Sequence, residues 1–148
     1  MKTLGCVAFL MTLTPVFAAD SLPVGTWVRR DAPEPVHITM KIDPAGAGLK
    51  LTYTITSAQS PVPQIMTIVT QLDDKDAPTL VDGKPTGQTM AIRQADSRHA
   101  TGVVKMQGQQ MGTSNSEISI DGKVLKVENT TLGPDGKPTL RIEYWDKK

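Results

Sequence analysis

Two histidines, His37 and His99, are the residues of this chain best suited to moving protons or binding metal near neutral pH. His37 sits in "VHITMKI" on the polar side of an alternating segment, which is where a solvated imidazole belongs. His99 follows Asp96-Ser97-Arg98 and reads as part of a turn. Neither lies in a Ser, His and carboxylate pattern that would activate a nucleophile. Two imidazoles without clustered carboxylates make a poor zinc set. "DDKDAP" (73–78) has enough carboxylates for a calcium loop. It lacks the glycine such a loop needs, and no helical period flanks it, so it reads as a solvated turn. The single cysteine, Cys6, lies in an apolar leader. The expectation is therefore no enzyme, no catalytic residue, no metal and no cofactor.

What remains is an apolar interior. The chain has seven methionines against two each of Phe, Tyr and Trp. Methionine is flexible and polarizable, so it suits loosely shaped apolar ligands as well as irregular core gaps. Met40, Leu51, Tyr53, Met66, Ile68, Met90, Ile92, Val104 and Met106 are the candidates to line a cavity. The same residues could instead fill a core completely, and both readings stay open here.

The elements that would hold these residues have a period of two. In "VHITMKI", Val36, Ile38, Met40 and Ile42 share one face; in "LKLTYTIT", Leu49, Leu51, Tyr53 and Ile55 do. Successive strand side chains point to opposite faces, so each segment is a strand buried on one side. "IMTIVTQL" (65–72) is apolar on both faces. Further strands are expected in "TMAIRQA" (89–95), "ATGVVKM" (100–106), "SEISI" (116–120), "KVLKVEN" (123–129) and "TLRIEYW" (139–145). The last of these offers Leu140, Ile142 and Tyr144 as its apolar set. Asp-Gly-Lys recurs at 82–84, 121–123 and 135–137. Asp-Gly is a hairpin signal because both central residues tolerate positive φ. The second triplet, joining "SEISI" to "KVLKV", is the clearest such hairpin.

This pattern predicts an all-β fold of eight or nine short antiparallel strands. A one-sided sheet must bury its apolar face, either by curling into an up-and-down barrel or by stacking on a second sheet as a sandwich. Neighbour-to-neighbour turns favour the barrel, because a sandwich needs Greek-key crossings. A membrane barrel would need an apolar outer band with aromatic girdles, whereas the outward sets here carry Lys, Thr, Glu and Arg.

"MKTLGCVAFLMTLTPVFAAD" has a positive start, an apolar run to Phe17 and a small-x-small end at Val16-Phe17-Ala18. That is the layout of a secretory signal peptide. The domain expectation is a leader over 1–18, cut after Ala18 or Ala19, then a single β-barrel over 19–148. The expected location is periplasmic or extracellular, with no membrane span after cleavage. Formal net charge is +1 across the whole chain, with no like-charged tract, which gives no basis for nucleic-acid binding.

Gly25-Thr26-Trp27 matches the G-x-W of the lipocalin first strand. "IDPAGAGLKLT", "LDDKDAPTLVDGKP", "IDGKVLKVENTTLGPDGKP" and "IEYWDKK" extend the likeness over nearly the whole chain after the leader. The chain resembles small lipocalin-like barrel proteins exported by bacteria. The resemblance implies that Trp27 plugs one end of the barrel, that Gly25 allows close approach there, and that a late basic residue covers the indole. Arg141 is the candidate for that cation, with Arg29 or Arg30 as substitutes.

Two functions follow as expectations. The first is a module holding a small apolar ligand in or at the mouth of the barrel. The second is an envelope protein-interaction or inhibitor module with a filled barrel, using "TSAQSPVPQ" (56–64) and "LDDKDAPTLVDGKPTGQ" (72–88) as loops.

Overall fold

A computed structural model describes residues 23–148. The expected leader, with Cys6 and the cleavage point at Ala18 or Ala19, lies outside the described residues. Ten strands follow one another: β1 (Gly25–Arg29), β2 (Val36–Ala45), β3 (Gly48–Ser57), β4 (Ser60–Thr70), β5 (Asp73–Val81), β6 (Lys84–Gln94), β7 (His99–Met106), β8 (Gln109–Ile118), β9 (Val124–Leu132) and β10 (Pro138–Lys147). Each pairs antiparallel with its sequence neighbours, and β1 also pairs with β10, so the sheet closes on itself. The fold is a closed up-and-down barrel and not a sandwich.

Closure follows from the alternation. Most strands turn their apolar set inward, and the sheet meets itself with no open face. Trp27, Met40, Ile42, Leu49, Leu51, Ile68, Leu125 and Trp145 form the buried core. Lys41, Lys50 and Glu117 alternate with inward residues and lie exposed. Charged side chains at these outward positions are unlike the apolar outer band of a lipid-facing barrel. Among the described residues, no helix is long and apolar enough to cross a membrane.

Several features differ from the sequence expectation, and the strand expected at 116–120 is the end of a longer β8 that stops at Ile118 and leaves Ile120 exposed. First, β5 is a strand where the acidic run and Pro78 read as loop. Bulges between Asp73 and Asp76 and between Pro78 and Leu80 absorb the irregular residues. Its inward Ala77 and Thr79 are buried, although neither signals a strand face by its type. Second, the two stretches expected as binding loops are mostly strand. β3 and β4 are joined by a turn at Ala58-Gln59, and β5 and β6 by Asp82-Gly83. Third, β10 faces the opposite way. Leu140, Ile142 and Tyr144 point outward, while Arg141, Glu143 and Trp145 share the inward register.

The reversal has a physical cause. A one-residue change in phase moves every side chain to the other face. The phase adopted puts Trp145 opposite Leu125 on β9 and Arg29 on β1. It buries the largest side chain of the strand and leaves smaller apolar ones outside. The Asp-Gly turns also sort differently. Asp82 and Gly83 both take positive φ (48° and 78°), whereas at 121–122 and 135–136 only the glycine does. The first triplet is thus the one that fits a two-residue hairpin turn with both central φ positive.

The closing seam is short. β1 and β10 share three register pairs, Trp27 with Lys147, Val28 with Asp146 and Arg29 with Trp145. Side chains reinforce it: Arg30 Nε donates to Asp146 Oδ2 at 3.0 Å, and the same guanidinium lies 5.7 Å from the Tyr144 ring centroid.

Candidate functional site

A cavity of about 290 Å³ occupies the barrel interior. It reaches the end that carries the β6–β7 turn, where Asp96, Ser97, Arg98 and His99 line it. Strands β2, β3, β4 and β6 build an apolar wall, because their inward positions are Met, Ile, Leu and Tyr in register. Met40 pairs with Tyr53, and Tyr53 with Met66. Of the nine expected lining residues, Met40, Leu51, Tyr53, Met66, Met90 and Ile92 line this cavity. Ile68 is buried in the core instead, Val104 is half-buried away from the cavity, and Met106 is 39% exposed at the end of β7.

The opposite wall is different in kind. Strands β7 to β10 contribute Thr101, Ser114, Ser116, Asn129 and Glu143, together with Val127 and Trp145. Gly102 leaves room for the Ser114 hydroxyl: a Cβ there would come within 2.5 Å of Ser114 Oγ. Sequence reasoning missed this wall, since alternation was read only for its apolar members. The available signal was the same register that placed Leu125 and Val127 inward, because it carries Asn129 inward with them.

Glu143 is the inward-facing charge on this wall. Its Oε1 lies 3.2 Å from Arg29 Nη1 and 3.8 Å from Arg141 Nε. Arg29 is almost wholly buried and also pairs through Nε with Asp31 Oδ1 at 3.2 Å. Its Nη2 is buried without a hydrogen-bond partner among the described residues. Burial alone would raise the Asp31 carboxyl. The Arg29 hydrogen bond, with the backbone amides of Asp31 and Tyr144, holds it below its ordinary value. Across the cavity, Tyr53 meets Trp145 edge to face, with ring centroids 6.0 Å apart and planes at 68°. Burial pushes the Tyr53 hydroxyl up, and the Glu143 charge adds to this.

The barrel closure is also only partly as expected. Trp27 is fully buried, and its Nε1 donates to the Pro23 carbonyl at 2.9 Å. The cation over the indole is Lys147, whose Nζ lies 5.5 Å from the ring centroid, and not Arg141. Register decides this, since Lys147 pairs directly with Trp27 whereas Arg141 pairs with Asn129. Arg141 is 58% exposed, and Arg29 and Arg30 are engaged elsewhere. Gly25 is at φ 133°, and a Cβ there would come within 2.9 Å of Lys147 Cε. The lysine stem therefore crosses the space the glycine leaves free.

No family model matches this chain, and comparison with curated proteins and solved structures finds no match either. The site is thus read from its geometry. His99 Nδ1 lies 2.9 Å from Asp96, and its Nε2 lies 3.6 Å from Glu117. Both ring nitrogens face carboxylates. The Asp96 carboxyl is held low first by the Arg98 backbone N–H and then by His99. His37 lies exposed on β2. No group of three His, Cys, Asp or Glu able to hold a metal occurs among the described residues.

Proposed function

We propose that this chain is an exported, lipocalin-like barrel that holds a small, largely apolar molecule. The observation that carries the reading is the cavity itself. At about 290 Å³ it lies near the lower bound for small-molecule pockets, roughly 300 Å³. A ten-strand barrel is wider than the eight-strand kind that side chains can just fill, so retained interior space is expected. Met40, Met66 and Met90 on the wall can adjust to a ligand with little strain.

Native mass spectrometry of gently purified protein tests this, with a co-purifying small-molecule mass as the expected result. The variant Met90→Lys places a charge on the apolar wall. It should abolish that mass while the circular dichroism of the barrel is retained. Unchanged binding in folded Met90→Lys would exclude the cavity as the site. N-terminal sequencing of exported protein should begin at Ala19 or Asp20.

A second reading, an envelope protein-interaction module, is favoured by one feature. Leu140, Ile142 and Tyr144 form an exposed outer row on β10, with Leu132 exposed on the neighbouring strand β9. Capture of one envelope protein by wild type, lost in Ile142→Asp, would support it. Such capture by a barrel that carries no small-molecule mass would displace the carrier reading.

A further inference from the structure

The cavity has two unlike walls, and the contrast constrains what fits between them. On the apolar side, Met40, Met66 and Met90 offer no hydrogen bond of ordinary strength. On the other side, the Glu143 carboxylate is 14% exposed and lines the cavity. Its contacts with Arg29 and Arg141 are ion pairs, and no described residue donates it a hydrogen bond of good geometry. Tyr53 lines the same space, and its hydroxyl feels the Glu143 charge. Neither group is among the buried polar atoms left without a partner, so both are reached by solvent through the cavity. An apolar ligand that expelled that solvent would strand them, and a group that serves both is favoured there.

Charge selects among such groups. Arg29 and Arg141 stand against Glu143 and Asp31, two cations against two anions. The cluster is balanced, so a full charge on a ligand would gain little and lose its hydration. A neutral hydroxyl suits the site better. It donates to the carboxylate and accepts from the tyrosine with one oxygen. Resting on the carrier reading above, we infer that the ligand is a small neutral amphiphile with an apolar body and one hydroxyl seated between Glu143 and Tyr53.

Calorimetric titration with 4-propylphenol, its methyl ether 4-propylanisole and 4-propylbenzoate tests this. The phenol should bind at least tenfold more tightly than either of the others. The ratio of phenol to ether affinity should fall at least threefold in Glu143→Gln, because the acceptor loses its charge. It should also fall in Tyr53→Phe, which removes only a hydroxyl and keeps the ring. If Glu143→Gln fails to fold, Tyr53→Phe decides. Equal binding of phenol and ether to wild type overturns the hydroxyl site while leaving the carrier reading intact. A preference for the benzoate overturns it in favour of an anion site at Arg29. A phenol preference undiminished in the folded variants also overturns it. If none of the three probes binds, the hydroxyl site is overturned, and the carrier reading is decided by the co-purifying mass.

Discussion

At the scale of single residues, Arg29 carries the most consequence. Its guanidinium is buried against Glu143 inside the barrel and Asp31 at its edge. Removing one partner of a buried pair leaves the other charge without compensation, which costs more than the pair contributes. Arg29→Ala should therefore lose about 3 kcal/mol in urea unfolding. The double variant Arg29→Met, Glu143→Leu should be more stable than either single one, because the charge left without its partner, Asp31, is solvent-exposed. A double variant less stable than both would contradict this. Asp31 adds a pH dependence of definite sign. Its folded pKa lies below its unfolded value, so its stabilisation is fully present above about pH 4. That contribution is lost as pH falls through the folded pKa. The stability advantage of wild type over Asp31→Asn should thus be present at pH 7 and shrink in acid; urea titrations at stepped pH measure it. None of this pairing was legible in the sequence, where Arg29 reads only as a substitute for the cation over Trp27. Alternation over the five residues of β1 is too short to reveal that Arg29 shares a face with Trp27.

At the scale of elements, most strands were legible because alternation is a local property. β2 and β3 fall where "VHITMKI" and "LKLTYTIT" place them, with Met40 and Leu51 inward. β5 was not legible, since small and polar side chains make its inward face and Pro78 stands within it. β10 was located correctly and faced wrongly. Its alternation fits either phase, and pairing with Leu125 and Arg29 chose the one that buries Trp145. Close approach between strands gives a test at this level. A Cβ at Gly48 would lie 1.9 Å from the Thr70 carbonyl oxygen. Gly48→Ala must push β3 from β4 at the start of their ladder, and a loss of about 2 kcal/mol is expected in urea unfolding. Wild-type stability in that variant would mean the two strands separate there without cost.

At the scale of the whole molecule, closure joins the first strand to the last. Lys148 N donates to Thr26 O at 2.9 Å, so the two ends of the described chain lie side by side. Linking Lys148 to Pro23 and opening the exposed Gln107-Gly108 turn should give a permuted chain that still folds, because the cut breaks no inward packing. Retained near-ultraviolet circular dichroism from the buried Trp27 and Trp145 would show this. A permutant without that signal would mean that the β7–β8 hairpin must form as a continuous unit. The sequence alone determined the all-β class, the inward apolar set of most strands and the neighbour-joined meander that favours a barrel over a sandwich, since period and turn chemistry act over a few residues. Only the tertiary structure decided the strand count, the phase of β10, the lysine over Trp27 and the polar wall facing the methionines. Those depend on register between strands, at the seam between strands far apart in the chain, and on which of two possible faces the closed sheet turns inward.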